Sequence, residues 1–179
     1  SDLFGLPEHI FAAGFSALHK CVNEKLALTL STAPDDSIRS QIDATLEWVQ
    51  QAGNHVLTFA DTSYPRSLLS IADPPPVLYV KGRFELLTNK SIAIVGSRNA
   101  TLQGIQNARR FAEVLSAAGL TIVSGLALGI DAAAHEGALH ESSSGGSTIA
   151  VTGTGLDLVY PAKHRELAHH IAAQGCLVS

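Results

Sequence analysis

"SIAIVGSRNATLQG", residues 91–104, decides the fold. Ile92, Ala93, Ile94 and Val95 form an unbroken apolar run, the mark of a strand covered on both faces. Gly96 permits a sharp turn and a close approach to a ligand. Thr101 stands where a helix over about 102–118 needs its N-cap. Strand, tight turn and helix open a parallel α/β unit. The turn is not the dinucleotide fingerprint, because G-x-G-x-x-G needs glycines where Arg98 and Thr101 stand. Arg98 instead offers a planar five-donor fork for phosphate oxygens or a base face, and the helix turns its positive end on the same space. Ser97 adds a hydroxyl and a backbone N–H. The competing reading is a structural salt bridge at Arg98.

The alternation continues downstream. "LTIVSG" is a strand and about 131–140 a helix; "STIAVTG" is a strand and about 164–174 a helix; "CLVS" begins another strand. Gly119 and Gly175 stand at the C-cap positions. This spacing predicts a parallel sheet with helices on both faces. Upstream, "HVLTFAD" and Val77–Val80 read as strands around a short helix, and Pro74-Pro75-Pro76 is a rigid lead-in. Before about residue 54 the pattern is helical. Ile38, Ile42, Leu46 and Val49 share one helix face, with Trp48 packing beside it and Asp35 or Asp36 as the cap. The expected fold is therefore α/β: a Rossmann-like, doubly wound, mostly parallel sheet over 55–179, preceded by a small helical module over 1–54.

Composition narrows the function. An apolar share of 46% supports a real core, and no apolar run approaches the 18 residues of a membrane span. No charged-then-apolar leader is visible. The chain begins with Ser and has no Met, which points to a fragment of a longer product. Cys21 and Cys176 read as free thiols in a reducing cytosol. Net charge is −4, against a protein that coats nucleic acid by bulk charge. Yet residues 81–110 hold six of the twelve Lys and Arg with one acid, Glu85: either a solvated basic face or an anion site.

In an open parallel sheet, ligands bind beyond the carboxyl ends of the strands. Besides Gly96-Ser97-Arg98, two such ends are unusual. In "SGLALGIDAAAH", Ser124 and Gly125 end a strand, Gly129 allows another bend and Asp131 is the expected N-cap. Asp131 and His135 are four apart and can hydrogen-bond, as a structural cap or as a catalytic pair. In "TGTGLDLVYPAKHRELA", Gly153, Thr154 and Gly155 end a strand, and Lys163, His164 and Arg165 open a helix. Cations there oppose the helix dipole unless a polyanion is bound nearby. Other motifs fail. The histidines of "HEGALH" are five apart, so they point about 140° apart on a helix. There is no G-x-S-x-G elbow and no P-loop. No cofactor, metal site or catalytic residue is expected.

"YPRSLLSIADPPPVLYVKG", "IAIVGSR", "SGLALGIDAAAH" and "GTGLDLVYP" in this order resemble the DNA-processing protein A family, DprA or Smf, from about residue 55 to 179. The helical stretch over 1–54 resembles the SAM-like or helix-hairpin-helix-like module that the family often carries. The resemblance implies a cytoplasmic, non-enzymatic protein that binds single-stranded DNA during natural transformation, protects it and helps load the RecA recombinase. It implies DNA contacts at Gly96, Ser97, Arg98 and Lys163, with Ser124, Gly125, Gly153 and Thr154 lining the same pocket. It also implies a homodimer in the full-length protein. The family pattern Tyr-Pro-x-x-Asn has His164 in place of the Asn. The alternative is a nucleotide-binding enzyme of the nucleoside-monophosphate phosphoribohydrolase type, but "GTGLDLVYP" lacks the Glu of that pattern. For residues 1–54, a partner-docking scaffold is a further alternative.

Overall fold

The computed structural model describes residues 4, 7–140 and 147–179. The start of the helical module, residues 1–3 and 5–6, lies outside the described residues. The chain divides into two compact units, 1–48 and 49–179.

The first unit holds α1 (Pro7–Ala12), α2 (Phe15–Leu18), α3 (Glu24–Ser31) and most of α4 (Asp36–Val49). Asn23 caps α3 by accepting from the Leu26 N–H, and Asp35 accepts from the Ile38 N–H at the start of α4. The expected apolar face of α4 exists but is not buried. Ile38, Ile42 and Leu46 are 46%, 48% and 58% exposed, and no residue of α4 is buried. Trp48 is half-buried.

The second unit is a six-stranded sheet. Its strands are β1 (Asn54–Thr58), β2 (Val77–Gly82), β3 (Ser91–Ala93), β4 (Thr121–Ser124), β5 (Ser147–Val151) and β6 (Cys176–Val178), in the order β1-β2-β6-β5-β4-β3. From β3 to β6 all pairings are parallel, with Ile92 opposite Ile122 and Ala150 opposite Leu177. β2 then joins β6, and β1 joins β2, antiparallel. The sheet is thus mostly parallel and Rossmann-like. The apolar alternation along its strands separates two layers. Ile122, Ala150 and Leu177 face the helices α5 (Leu102–Ala117), α6 (Ile130–His140) and α7 (Arg165–Gln174). Ile149, Cys176 and Val178 face Tyr64, Leu68 and Leu86 on and beside the 3-10 turns 66–70 and 84–88.

The second layer is therefore built from 3-10 turns rather than from α-helices, a difference from the two helical layers expected. The cause is topological. β3 to β6 advance in one direction across the sheet, and right-handed crossovers set every intervening helix on the same side. β3 also departs from expectation. As the edge strand it is exposed throughout, with Ile92 41% exposed.

α5 and α6 pack closely because small residues line the contact. Ala108, Ala112 and Ser116 recur at i, i+4 and i+8, and the Ser116 hydroxyl donates to the Ala138 carbonyl at 3.0 Å. A side chain on Gly137 would collide with the Arg109 carbonyl. Gly119 ends α5 with φ +87°, donating to the Ser116 carbonyl.

Candidate functional site

Three loops meet at the carboxyl ends of β3, β4 and β5. The first, residues 94–101, is clamped from below by the start of α6. A Cβ on Gly96 would come within 2.7 Å of Ile130, and the Ile130 N–H donates to the Ser97 carbonyl at 3.2 Å. Gly129, at φ +80°, lies so close to the Ser97 and Arg98 carbonyls that no side chain fits there. Ser97 caps its own turn by accepting from the Asn99 N–H. Thr101 accepts from the Gly104 N–H and caps α5, as its sequence position requires.

The second loop, residues 124–129, is held by a buried carboxylate. Asp131 Oδ2 accepts from the Gly125 N–H at 3.1 Å and the Ala127 N–H at 3.4 Å. Between them Leu126 has φ +59°, the left-handed region, which costs roughly 1–2 kcal/mol in a non-glycine residue. Burial of its side chain against Ala150, Ala168, Ile171 and Leu177 offsets that strain. Its carbonyl accepts from His164 Nδ1 at 2.9 Å, so that nitrogen carries a proton.

The third loop, residues 152–164, runs from Thr152, whose N–H donates to the Val178 carbonyl, to the 3-10 turn 162–164 before α7. Thr154 Oγ1 donates to the Leu158 carbonyl, which closes the turn around Gly155.

Between the loops lies a cavity of about 390 Å³. It is lined by Arg98, Gly125, Ala127, Leu128, Thr152, Gly153, Thr154, Tyr160 and Pro161. Of the eight residues singled out from the sequence, Arg98, Gly125, Gly153 and Thr154 meet here. Lys163 sits exposed two residues beyond Pro161. Gly96 and Ser97 form the turn that carries Arg98 rather than the cavity wall. Ser124 does not line it. It is buried, and its hydroxyl donates to the Ile94 carbonyl at 2.7 Å, stitching β4 to the end of β3. A serine at a strand end faces inward or outward according to the pleat, and here the pleat turns it inward.

The wall residues outside those eight are Ala127, Leu128, Thr152, Tyr160 and Pro161. The first three carry no distinctive side chain, and their nearness to Gly125, Gly129 and Gly153 is the only signal that could have found them. Tyr160, 74% exposed, is the one aromatic ring at the cavity among the described residues and offers a face for stacking.

The basic stretch 81–110 separates into different roles. Arg83 pairs with Glu85 and donates to the Gln174 carbonyl, and Arg109 pairs with Glu136 across α5 and α6. Arg98, exposed at the cavity, has no ion pair among the described residues. The Asp131–His135 pair does not form. His135 is fully buried, and its Nδ1–H donates to Thr148 Oγ1, which itself donates to the Ile122 carbonyl. Burial, with His164 nearby adding to it, pushes the His135 pKa down to about 3, so the ring stays neutral. Its Nε2 has no hydrogen-bond partner among the described residues. Both residues are structural.

Comparison with known proteins places the chain in a family. The family model "DNA recombination-mediator protein A" matches residues 55–179. Protein Smf of Synechocystis sp. is 46% identical over 138 residues, which make up 75% of this chain and 34% of that protein. DNA processing protein DprA of Streptococcus pneumoniae is 43% identical over 119 residues, 66% of this chain and 41% of that protein. The X-ray structure of the Streptococcus pneumoniae protein superposes with a TM-score of 0.72 at 35% identity, over 92% of this chain and 54% of that one. A structure of Helicobacter pylori DNA processing protein A, determined for its single-stranded DNA binding mode, superposes with a TM-score of 0.60 at 31% identity, over 70% of this chain and 54% of that one. The chain thus spans well under half the length of the curated relatives it matches. From residue 55 onward, sequence and fold agree, and the chain belongs to the DNA recombination-mediator protein A family, DprA/Smf.

Proposed function

We propose that this chain is a single-stranded DNA-binding module in which the cavity holds a backbone phosphate. One observation carries the reading: Arg98, without a carboxylate partner among the described residues, stands exposed on its turn and lines the cavity together with Gly125, Gly153 and Thr154. An unpaired guanidinium fork beside small residues suits a phosphate that must approach the main chain. Lys163, exposed two residues beyond the wall residue Pro161, supplies a second cation, and Tyr160 stacks one base. The Helicobacter pylori relative's single-stranded DNA binding mode supports the same ligand class.

The site binds rather than catalyses. Among the described residues no Asp, Glu, His or Cys lines the cavity, so no carboxylate, imidazole or thiol of these stands beside the phosphate. In the whole protein, the module protects incoming single strands during transformation in the cytoplasm and helps load RecA, with homodimerisation as its assembly. Among the described residues no helix is long and apolar enough to cross a membrane.

Anisotropy of a labelled 20-nucleotide single strand tests the reading. Arg98→Ala is expected to weaken binding more than tenfold, about 1.4 kcal/mol, and log affinity is expected to fall linearly with log salt. Equal affinity of wild type and variant at every salt concentration would remove Arg98 from the site. For the RecA step, the expected outcome is faster RecA assembly on single strands in the presence of wild type, and no acceleration by Arg98→Ala.

A further inference from the structure

The loop after β4 and the turn before α7 lie far apart in sequence, yet one side chain joins them. His164 Nδ1–H donates to the Leu126 carbonyl at 2.9 Å, across 38 residues. Both ends of that bond are unusual. Leu126 is the one described non-glycine residue with positive φ. Its carbonyl is satisfied from outside the loop, by the His164 ring. His164 occupies the N-cap position of α7, where a side chain ordinarily accepts from the first helical N–H groups. Its ring makes no such bond and reaches away to the second loop instead.

The bond sits between two parts of the cavity. On one side, Gly125 and Ala127 flank Leu126 and line the wall, their N–H groups already fixed on Asp131. On the other side, the turn 162–164 carries Lys163 two residues beyond Pro161, another wall residue. The half-buried ring therefore joins the loop that carries Gly125 and Ala127 to the turn that carries Lys163.

We propose that His164 is a positioning residue of the DNA site: its Nδ1–H bond to the Leu126 carbonyl locks the loop 124–129 to the turn that presents Lys163. The inference rests on the reading of the cavity as a DNA phosphate site. It follows that only the N–H donor at that point matters. An asparagine carries an amide N–H at nearly the position of Nδ1, whereas a glutamine carries its amide one methylene too far.

The test uses the whole chain and its His164→Ala, His164→Asn and His164→Gln variants, with a labelled 20-nucleotide oligo-dT as probe. Single-strand affinity and amide hydrogen exchange at Gly125 and Ala127 are measured on each. His164→Ala and His164→Gln are expected to weaken binding about fivefold to tenfold and to speed exchange at both amides, while His164→Asn restores both to near wild type. In a Lys163→Ala background the further loss from His164→Ala is expected to shrink to less than half, because the ring acts through the placement of Lys163. Wild-type binding matched by His164→Ala, or losses in His164→Asn equal to those in His164→Ala, would overturn the inference and leave the DNA reading standing. Absence of binding by the wild-type chain would overturn the DNA reading and the inference with it.

Discussion

His135 and Arg98 show how one residue's surroundings set its role. Both are basic side chains of the unit that holds the sheet. Arg98 keeps its charge exposed on a turn, whereas His135 is buried with one ring nitrogen bonded to Thr148 and the other unpartnered among the described residues. Desolvation holds the His135 pKa at about 3, below the ordinary value of 6.5. Between those two values the unfolded chain binds the proton that the folded chain refuses. The stability contribution is therefore complete above about pH 6.5 and is lost as pH falls toward 3, by up to about 1.4 kcal/mol per unit. His135→Asn keeps an N–H for Thr148 Oγ1 and removes the titration. Urea unfolding at pH 7 and pH 4.5 is expected to show the wild type losing roughly 2–3 kcal/mol more than this variant on acidification. Parallel losses in the two proteins would mean that the buried ring does not govern acid stability.

At the scale of elements, the site is a joint between the start of α6 and two neighbouring loops. Gly129 is its tightest point, because its left-handed φ and the adjacent Ser97 and Arg98 carbonyls leave no room for a methyl group. Gly129→Ala must move the Arg98 turn or strain its own backbone. The expected outcome is a stability loss of at least about 1–3 kcal/mol together with weakened DNA binding, read by denaturant midpoint and anisotropy. A variant with wild-type stability and affinity would show that the turn is not locked. Much of this joint was legible in the sequence. Gly96, Arg98 and Thr101 announce a strand, a turn and a capped helix by local rules alone, and the structure places them so. The inward turn of Ser124, the reach of His164 to Leu126 and the closing of the second sheet face by 3-10 turns were not legible. Each depends on which distant backbone lies opposite: Ile94 for Ser124, Leu126 for His164, and β6 for the chain segment around β2. Periodicity and capping rules report the chain's near neighbours and are silent on such meetings.

Across the whole molecule, stability is unevenly distributed. Among the described residues, the three clusters of buried apolar side chains all lie in the unit over 49–179, built around β2, β5 and β6 and around α5 to α7. In the unit over 1–48, Leu18 and Ala27 are the buried apolar residues among those described, while Phe11, Leu28 and Leu46 are each more than half exposed. Apolar burial is the main term opposing chain entropy, at about 25 cal/mol per Å², and helices of four to fourteen residues do not hold themselves together in water. The helices α1 to α4 should therefore open at much lower free energy than the sheet. Native-state hydrogen exchange on the whole chain is expected to show amides of α3 and α4 exchanging at least about a hundredfold faster than those of β4 to β6, a gap of about 2.7 kcal/mol or more. Uniform protection along the chain would mean that the helical unit draws stability from contacts beyond its own sparse core. If the gap is found, the DNA site rests on the stable unit alone, and single-strand affinity should persist under mild denaturant that has already melted α3 and α4.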